Sequence, residues 1–277
     1  MNGPITACYP DPGATRPLTG LYLDHALPDR GRHGPFVYAN YITSLDGRIS
    51  VPAATGGQRV PDCIANARDW RLFQELAGQA DLLLSSGRYL RDFEAGTAQD
   101  ILPVGIDDAF SDIRAWRVRH GLAPQPDVAV LSAGLDFAVP GRLLDQGRRV
   151  IVITGQSAND ARVQAHERAG TEVIVLPGVG RPGGAALVTA LQALAYRRIY
   201  TVAGPFVLHT LLGADGLDTL FLTTVHRLIG GQPFASLCEG DLLAETGDFQ
   251  LASMHLDAHG PGGCTQTFSR YDRTPGP

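Results

Sequence analysis

Short apolar runs and helical stripes alternate along most of this chain. Phe36-Val37-Tyr38-Ala39 opens the series, and Asp81–Ser85, Val128–Leu131 and Val150–Ile153 repeat it. Runs that are apolar at nearly every position suit strands covered on both faces, as in a parallel sheet between helices. Residues 66–79 place Trp70, Phe73, Leu76 and Ala77 on one face of a helix. A polar stretch over 88–126 holds a further helix around Asp108–His120, and Ser157-Ala158-Asn159-Asp160 reads as an N-cap before a helix over Ala161–Arg168. Glu172–Leu176 and Ile199–Ala203 are strands on either side of a helix over 184–196, whose Leu187, Ala190, Leu191 and Leu194 face inward; a short helix follows at 206–212. From Thr219 the character changes, and Leu220–Val225, Asp248–Met254 and Thr265–Tyr271 read as antiparallel strands. The pattern predicts one α/β domain over residues 35–273, a mainly parallel sheet finished by antiparallel C-terminal strands. Residues 1–34, rich in Pro, Gly, Asp and Arg and without periodicity, are expected to form an irregular N-terminal extension lying over the body or over a partner subunit. Thr274–Pro277 reads as a disordered tail.

Composition narrows the function. A chain of 277 residues with 44% apolar content can bury a sizeable core. A net charge of −5 gives no basic footprint for nucleic acid, and no basic amphipathic helix suggests a membrane surface. No apolar run approaches the ~20 residues of a spanning helix. The N-terminus lacks the charged and apolar regions of a secretory signal, so a cytoplasmic protein is expected. Cys8, Cys63, Cys238 and Cys264 lie far apart, form no CxxC pair and read as free thiols with no zinc pattern. No His-x-Glu precedes a Pro-Cys-x-x-Cys, so a nucleobase deaminase module is absent. All 23 basic residues are arginine. That excludes Schiff-base chemistry and a P-loop lysine, and leaves arginine forks, backbone amides and hydroxyls to hold a phosphorylated ligand.

Three strand ends carry the chemistry. Asn40-Tyr41-Ile42-Thr43-Ser44-Leu45-Asp46-Gly47-Arg48 runs off the first strand, with Gly47 turning the chain. In parallel sheets that end is where ligands bind; the plain alternative is a strand leaving the core through a Ser-Asp-Gly turn. Ser85-Ser86-Gly87-Arg88 offers hydroxyls, a glycine backbone and a guanidinium, read either as a phosphate site or as a strand-exit turn. Ala203-Gly204-Pro205-Phe206 ends a strand and starts a helix, a junction that attracts anions. Gly178-Val179-Gly180-Arg181-Pro182-Gly183 matches G-x-G-x-x-G, but Pro182 removes an amide and no acid ends the next strand, so it reads as a flexible glycine loop. His255-Leu256-Asp257-Ala258-His259 is metal-like in spacing and reads more simply as exposed polar alternation. Asp92, Glu94, Asp107 and Asp108 read as solvated surface, and no G-x-S-x-G elbow makes Ser44 a hydrolase nucleophile.

Taken in order, these motifs resemble those of the riboflavin-pathway pyrimidine reductases. That family opens with an apolar strand and Ser-Leu-Asp-Gly-Lys/Arg-Ile, matched by Phe36–Ile49; Asp81–Asp92 approximates its second motif and Tyr200–Gly231 its third. The resemblance covers about residues 35–271. It departs at Ser85, where the family has Gly, at Arg88, where it has Thr, and at Ala203-Gly204-Pro205, where it has Glu-Gly-Gly. Asn40 stands where bacterial members carry lysine and archaeal ones often carry asparagine, which points to a substrate other than the standard bacterial one.

The resemblance implies a dihydrofolate-reductase-like three-layer sandwich and a stand-alone reductase that moves a hydride from NADPH to C1′ of a ribosylaminopyrimidine phosphate. It implies catalytic or orienting roles for Asp46 and Ser44, a ribose contact for Asn40, and phosphate contacts for Arg59 or Arg88. Ser86, Gly87, Ala203, Gly204, Pro205 and Phe206 would line the cofactor, and Ser132 and Thr154 would meet its adenosine phosphate. Family members are commonly dimers, so a homodimer is expected, with the antiparallel C-terminal strands as contact. Two other outcomes stay open: a reductase of a different heterocycle, and a non-catalytic NADP-binding paralogue, which Ala203 in place of Glu would favour.

Overall fold

Strand Phe36–Ser44 is the axis of the molecule, because both of its faces are buried in side chains. In the computed structural model, which describes residues 3–32, 34–54, 56–178 and 182–274, Val37, Ala39 and Tyr41 pack on one side while Phe36 and Tyr38 pack on the other. The chain reaches it through β1 (Pro4–Tyr9) and β2 (Thr15–Pro17), so this axial strand is β3. A two-stranded ribbon follows, β4 (Val51–Pro52) and β5 (Gln58–Arg59). Then come α1 (Ala67–Gln79), β6 (Leu82–Ser86), α2 (Gly87–Glu94), α3 (Ser111–Arg119) and β7 (Asp127–Leu131). The alternation continues through α4 (Gly141–Asp145), β8 (Val150–Gly155), α5 (Asp160–Arg168), β9 (Glu172–Leu176), α6 (Gly184–Ala193), β10 (Arg198–Thr201) and α7 (Pro205–Leu212). It closes with β11 (Thr219–Val225), β12 (Phe249–Asp257) and β13 (Gln266–Arg273).

Eleven strands form one sheet in the order β2-β1-β12-β13-β11-β3-β10-β6-β7-β8-β9. Every pair from β11 through β3 to β9 is parallel, whereas β13, β12, β1 and β2 join antiparallel. Leu187, Leu191, Leu208 and Leu211 of α6 and α7 cover one face. Leu72 and Leu76 of α1 and Ile113 of α3 cover the other, next to a second cluster of Leu90, Leu143, Val128 and Val152. The result is the three-layer α/β architecture expected from the sequence, with the parallel centre and antiparallel C-terminal strands in place.

The N-terminal segment differs from its expected irregularity. β1 pairs with β12 in register Thr6↔Leu256 and extends the sheet, and Ile5, Leu18, Leu21, Tyr22 and Leu27 are buried in the α1 face. Glu75 of α1 explains the docking. Its carboxylate, fully buried, accepts from the backbone N–H groups of Gly20 (2.7 Å) and Tyr22 (2.9 Å) and from Arg71 Nε (2.9 Å). Gln79 adds bonds to Leu27 N and Tyr22 O, so the arm's unpaired backbone groups are satisfied by two side chains of one helix. Residues 179–181 of the glycine loop and 275–277 of the tail lie outside the described residues.

Candidate active site

β10 enters the sheet between β3 and β6 although it comes late in the chain, and the C-terminal ends of these three strands open onto a cleft of about 630 Å³. Ligands of open α/β sheets bind at such strand ends. Asn40 and Ile42 come from β3, Ser86 from β6 and Val202–Pro205 from the end of β10. Trp70 and Phe73 of α1, stacked at 5.0 Å between ring centroids, form an apolar wall. The β4–β5 ribbon brings Arg59, and α2 brings Arg88, Tyr89 and Asp92.

The rim of the cleft favours anions. Because β6 and β10 are parallel neighbours, the N-terminal ends of α2 and α7 lie side by side at their ends. Ser86 caps α2, its Oγ accepting from Tyr89 N at 3.3 Å. α7 has Pro205 in its first turn and no side-chain cap. Arg59 and Arg88 are half-exposed at the rim, Arg59 paired with Asp62 at 3.0 Å and Arg88 at 3.8 Å from Asp92. A Cβ built on Gly204 would meet nothing within 4 Å, so the cleft reaches the backbone there. At Gly87 a Cβ would sit 2.6 Å from Ser132 Oγ, so glycine is required for β7's end to close on α2.

The floor is polar. Asp69 lies in the first turn of α1, where Asn66 Oδ1 accepts from its backbone N–H at 3.0 Å. Asn40 and Asp69 line the cleft, and behind them Tyr22, Tyr200 and Thr223 are buried, with the Thr223 hydroxyl against the Asp69 carboxyl and the Tyr200 hydroxyl against Asn40. Burial pushes the Asp69 carboxyl up to about 6, against the opposing effect of the neighbouring Thr223 hydroxyl. Burial also holds Tyr22 and Tyr200 well above the usual phenol range, so both stay neutral. Sequence reading did not find Asp69. Its only local signal is an acid in a helix's first turn, which ordinarily marks dipole complementarity.

Of the residues expected from sequence, Asn40, Arg59, Arg88, Ser86, Ala203, Gly204 and Pro205 line this one cleft. Gly87 lies just behind Ser86, and Phe206 is partly exposed on the first turn of α7. Ser132 ends β7 with its Oγ accepting from Leu135 N at 3.1 Å, and Thr154 is buried in β8 with its hydroxyl unpartnered; neither borders the cleft. Ser44 and Asp46 do not border it either. The Asp46 carboxylate accepts from the Ser44 hydroxyl and from the N–H groups of Ile229 (3.1 Å) and Gly230 (2.8 Å), and pairs with Arg48 at 2.7 Å. The Ser44 hydroxyl and then the Gly230 amide lead in holding it down at about 2. Its acceptor sites are occupied by the turn it ties to the 229–231 loop, which corrects the expectation of a carboxylate aimed at substrate. His255 and Asp257 are buried, not exposed: Asp257 pairs with Arg68 at 2.6 Å and anchors the N-terminal end of α1.

An apolar slot, an anion-attracting rim and a single carboxyl in a neutral floor suit a flat heterocycle with a phosphate tail lying against a dinucleotide. A 2,5-diamino-6-ribosylamino-4(3H)-pyrimidinone 5′-phosphate reductase of Archaeoglobus fulgidus is 24% identical over 208 residues, 75% of this chain and 87% of that protein. A solved pyrimidine reductase-like protein of Corynebacterium diphtheriae superposes with a TM-score of 0.69 at 25% identity, covering 91% of this chain and 96% of its own. The riboflavin biosynthesis reductase of Saccharomyces cerevisiae shares the fold, with a TM-score of 0.55 and 15% identity over 92% of this chain and 99% of its own. Residues 35–264 match the RibD C-terminal domain, and the chain belongs to that family.

Proposed function

We propose that the protein is an NADPH-dependent reductase of a ribosylaminopyrimidine phosphate and transfers hydride to the ribose C1′. The observation that carries this reading is the single cleft in which Asn40, Ser86, Arg88 and Gly204 converge, flanked by two helix N-termini. A nicotinamide cofactor fits the residues present. Open backbone at Gly204 and the uncapped end of α7 receive a diphosphate, and the cleft beside Val202 receives a ring. The reduced nicotinamide supplies the hydride when bound.

The chain's own residues position and enclose. Trp70 and Phe73 exclude water from one side of the heterocycle, and Asn40 contacts the ribose. Arg59 and Arg88 hold the substrate phosphate, and Ser132 supports the start of α2 at Gly87, while the buried Thr154 takes no part in ligand contact. Asp46 and Ser44 keep the β3 turn in place so that Asn40 is presented correctly. Ala203 in place of the family's Glu removes one carboxylate, but Asp69 and Asp92 leave two carboxyls in the same cleft, which favours turnover over a non-catalytic role. No helix among the described residues is long and apolar enough to cross a membrane. A homodimer in the cytoplasm belongs to the same reading, and light scattering checks the oligomer.

Calorimetric titration with NADPH and then NADH, followed by loss of absorbance at 340 nm with a ribosylaminopyrimidine phosphate, tests the proposal. Selective NADPH binding and turnover support it, and absence of binding by both cofactors sinks it. The phosphate assignment has its own test. Charge-assisted bonds contribute about 1.5–3 kcal/mol each, so the Arg59→Met/Arg88→Met double variant should raise KM for the phosphorylated substrate by on the order of 100-fold. The dephosphorylated substrate should lose almost nothing. Equal losses with both substrates would remove the arginines from phosphate recognition.

A further inference from the structure

Asp69 is the one carboxyl of the cleft set back from its rim, and its position is fixed from three sides. Asn66 holds its backbone, the buried Arg68–Asp257 pair anchors the turn it sits on, and Trp70 beside it is stacked on Phe73. Around the carboxyl stand Thr223 from β11, Tyr200 from β10 and Tyr22 from the N-terminal arm, with Asn40 of β3 against Tyr200. None of these is charged. The charged residues bordering the cleft are Arg59, Arg88 and Asp92 at its rim, and Arg59 and Arg88 each have a carboxylate of their own. Glu75, farther along α1, is turned into the arm and held by Arg71. A carboxyl walled in by neutral groups keeps a proton more readily than one facing a cation.

Opening a ribosylamino ring requires a proton at the ring oxygen, and the rest of the cleft offers no comparable donor: burial raises its lining tyrosines, Tyr41 and Tyr89, above the usual phenol range, its arginines do not release protons, and Asp92 lies at the rim beside Arg88. We propose that Asp69 is the proton donor of the reaction, delivering its proton to O4′ as the C1′–O4′ bond breaks. The proposal rests on the reductase reading above. In the step, the nitrogen lone pair of the ribosylamino group forms a C1′=N bond while the C1′–O4′ pair leaves with oxygen, which takes the proton from Asp69. C1′ then accepts the hydride supplied by the reduced nicotinamide, and the C1′=N pair returns to nitrogen. The substrate gains one hydride and one proton, the cofactor is oxidised by two electrons, and the Asp69 carboxylate recovers its proton from water. The protonated form needed for this is the one that burial favours.

Asp69→Asn and Asp69→Glu test the assignment, with NADPH affinity, the single-turnover hydride rate between pH 5 and 9, and melting temperature against pH as readouts. Asp69→Asn should lose at least about 100-fold in hydride rate with NADPH affinity within about twofold, and Asp69→Glu should recover part of that loss. The wild-type rate should fall as pH rises through the carboxyl's range, and the Asn variant should lack that limb. The melting curves give a readout independent of turnover. Because the folded-state value is raised to about 6, the proton adds stability that is full below the unfolded value and lost as pH rises through 6. The wild type should therefore fall progressively below Asp69→Asn between about pH 4 and 6, with the gap level above pH 6 and the two converging near pH 4. His25, pushed down to about 4 by burial, acts equally in both. Wild-type hydride rates in Asp69→Asn, the same alkaline limb in that variant, or parallel melting curves would each overturn the proposal alone. Failure of the wild type to turn over any ribosylaminopyrimidine phosphate would overturn the reductase reading and this proposal with it.

Discussion

Replacing Glu75 by alanine is expected to destabilise the protein by about 3–5 kcal/mol, the cost of breaking a buried ion pair by removing one partner. Four groups lose an acceptor at once. The Gly20, Tyr22 and Leu23 amides and the Arg71 guanidinium all bond to this carboxylate, and Tyr22 and Arg71, each 2% exposed, cannot turn to water instead. Arg71 retains Asp112 and the Ala109 carbonyl on its outer side. The damage therefore concentrates on the arm. Against a total stability of about 5–15 kcal/mol the loss is large, and for a chain of this length it amounts to roughly 10 °C in Tm. Circular dichroism melting measures it, and limited proteolysis should show cleavage within residues 1–34 before the body. The first turn of α1 keeps its separate anchor through Arg68 and Asp257, so NADPH affinity should change little. A variant that melts like the wild type would mean the arm is docked by its apolar side chains alone.

The contrast between the legible and illegible parts of the chain has a common physical origin. The central strands could be read because each is apolar on two faces and short, a pattern that burial between two helical layers imposes on every parallel strand. The helix over 67–79 could be read from the stripe of Trp70, Phe73, Leu76 and Ala77, and the cap at Asn159 from its side chain alone, which in the structure accepts from Arg162 N. β1 could not, because its pairing partner β12 lies some 250 residues away and its own residues alternate only weakly. Asp46 and Asp69 show the same limit from opposite directions. Asp46 has the local signature of a functional acid, yet amides from residues 229 and 230 occupy it. Asp69 has the local signature of an ordinary helix-start acid, yet β3, β10, β11 and the arm close around it. A carboxylate's function depends on which groups fold against it, and those come from distant sequence. Asp257 follows the same rule, since only the tertiary fold brings Arg68 to it. The strand-end motifs at 85–88 and 203–206 were legible because a parallel strand's C-terminal end and the following helix start are fixed together by local sequence.

Replacing Gly204 by valine is expected to separate ligand binding from folding, in the reverse sense to Glu75→Ala. Gly204 has φ −73° and ψ −179°, angles open to any L-residue, and an added Cβ would meet no atom within 4 Å. The protein body does not require glycine there. Valine is a poorer N-cap than glycine, so α7 should lose about 1 kcal/mol and the melting temperature about 2–4 °C. In the cleft the two methyls would occupy the space through which a ligand reaches the strand end, and would screen the start of α7 from an anion. The expected result is an NADPH dissociation constant raised on the order of 100-fold, about 2.7 kcal/mol of binding. Gly204→Ala, which adds one methyl, should fall between. Calorimetry on the folded variants measures both, and the graded response from Ala to Val is the decisive feature, because a fold defect would not scale with the volume added in an open cleft. An unchanged dissociation constant in Gly204→Val would place the cofactor away from the β10–α7 junction and would return the rim between β6 and β10 to the substrate phosphate alone.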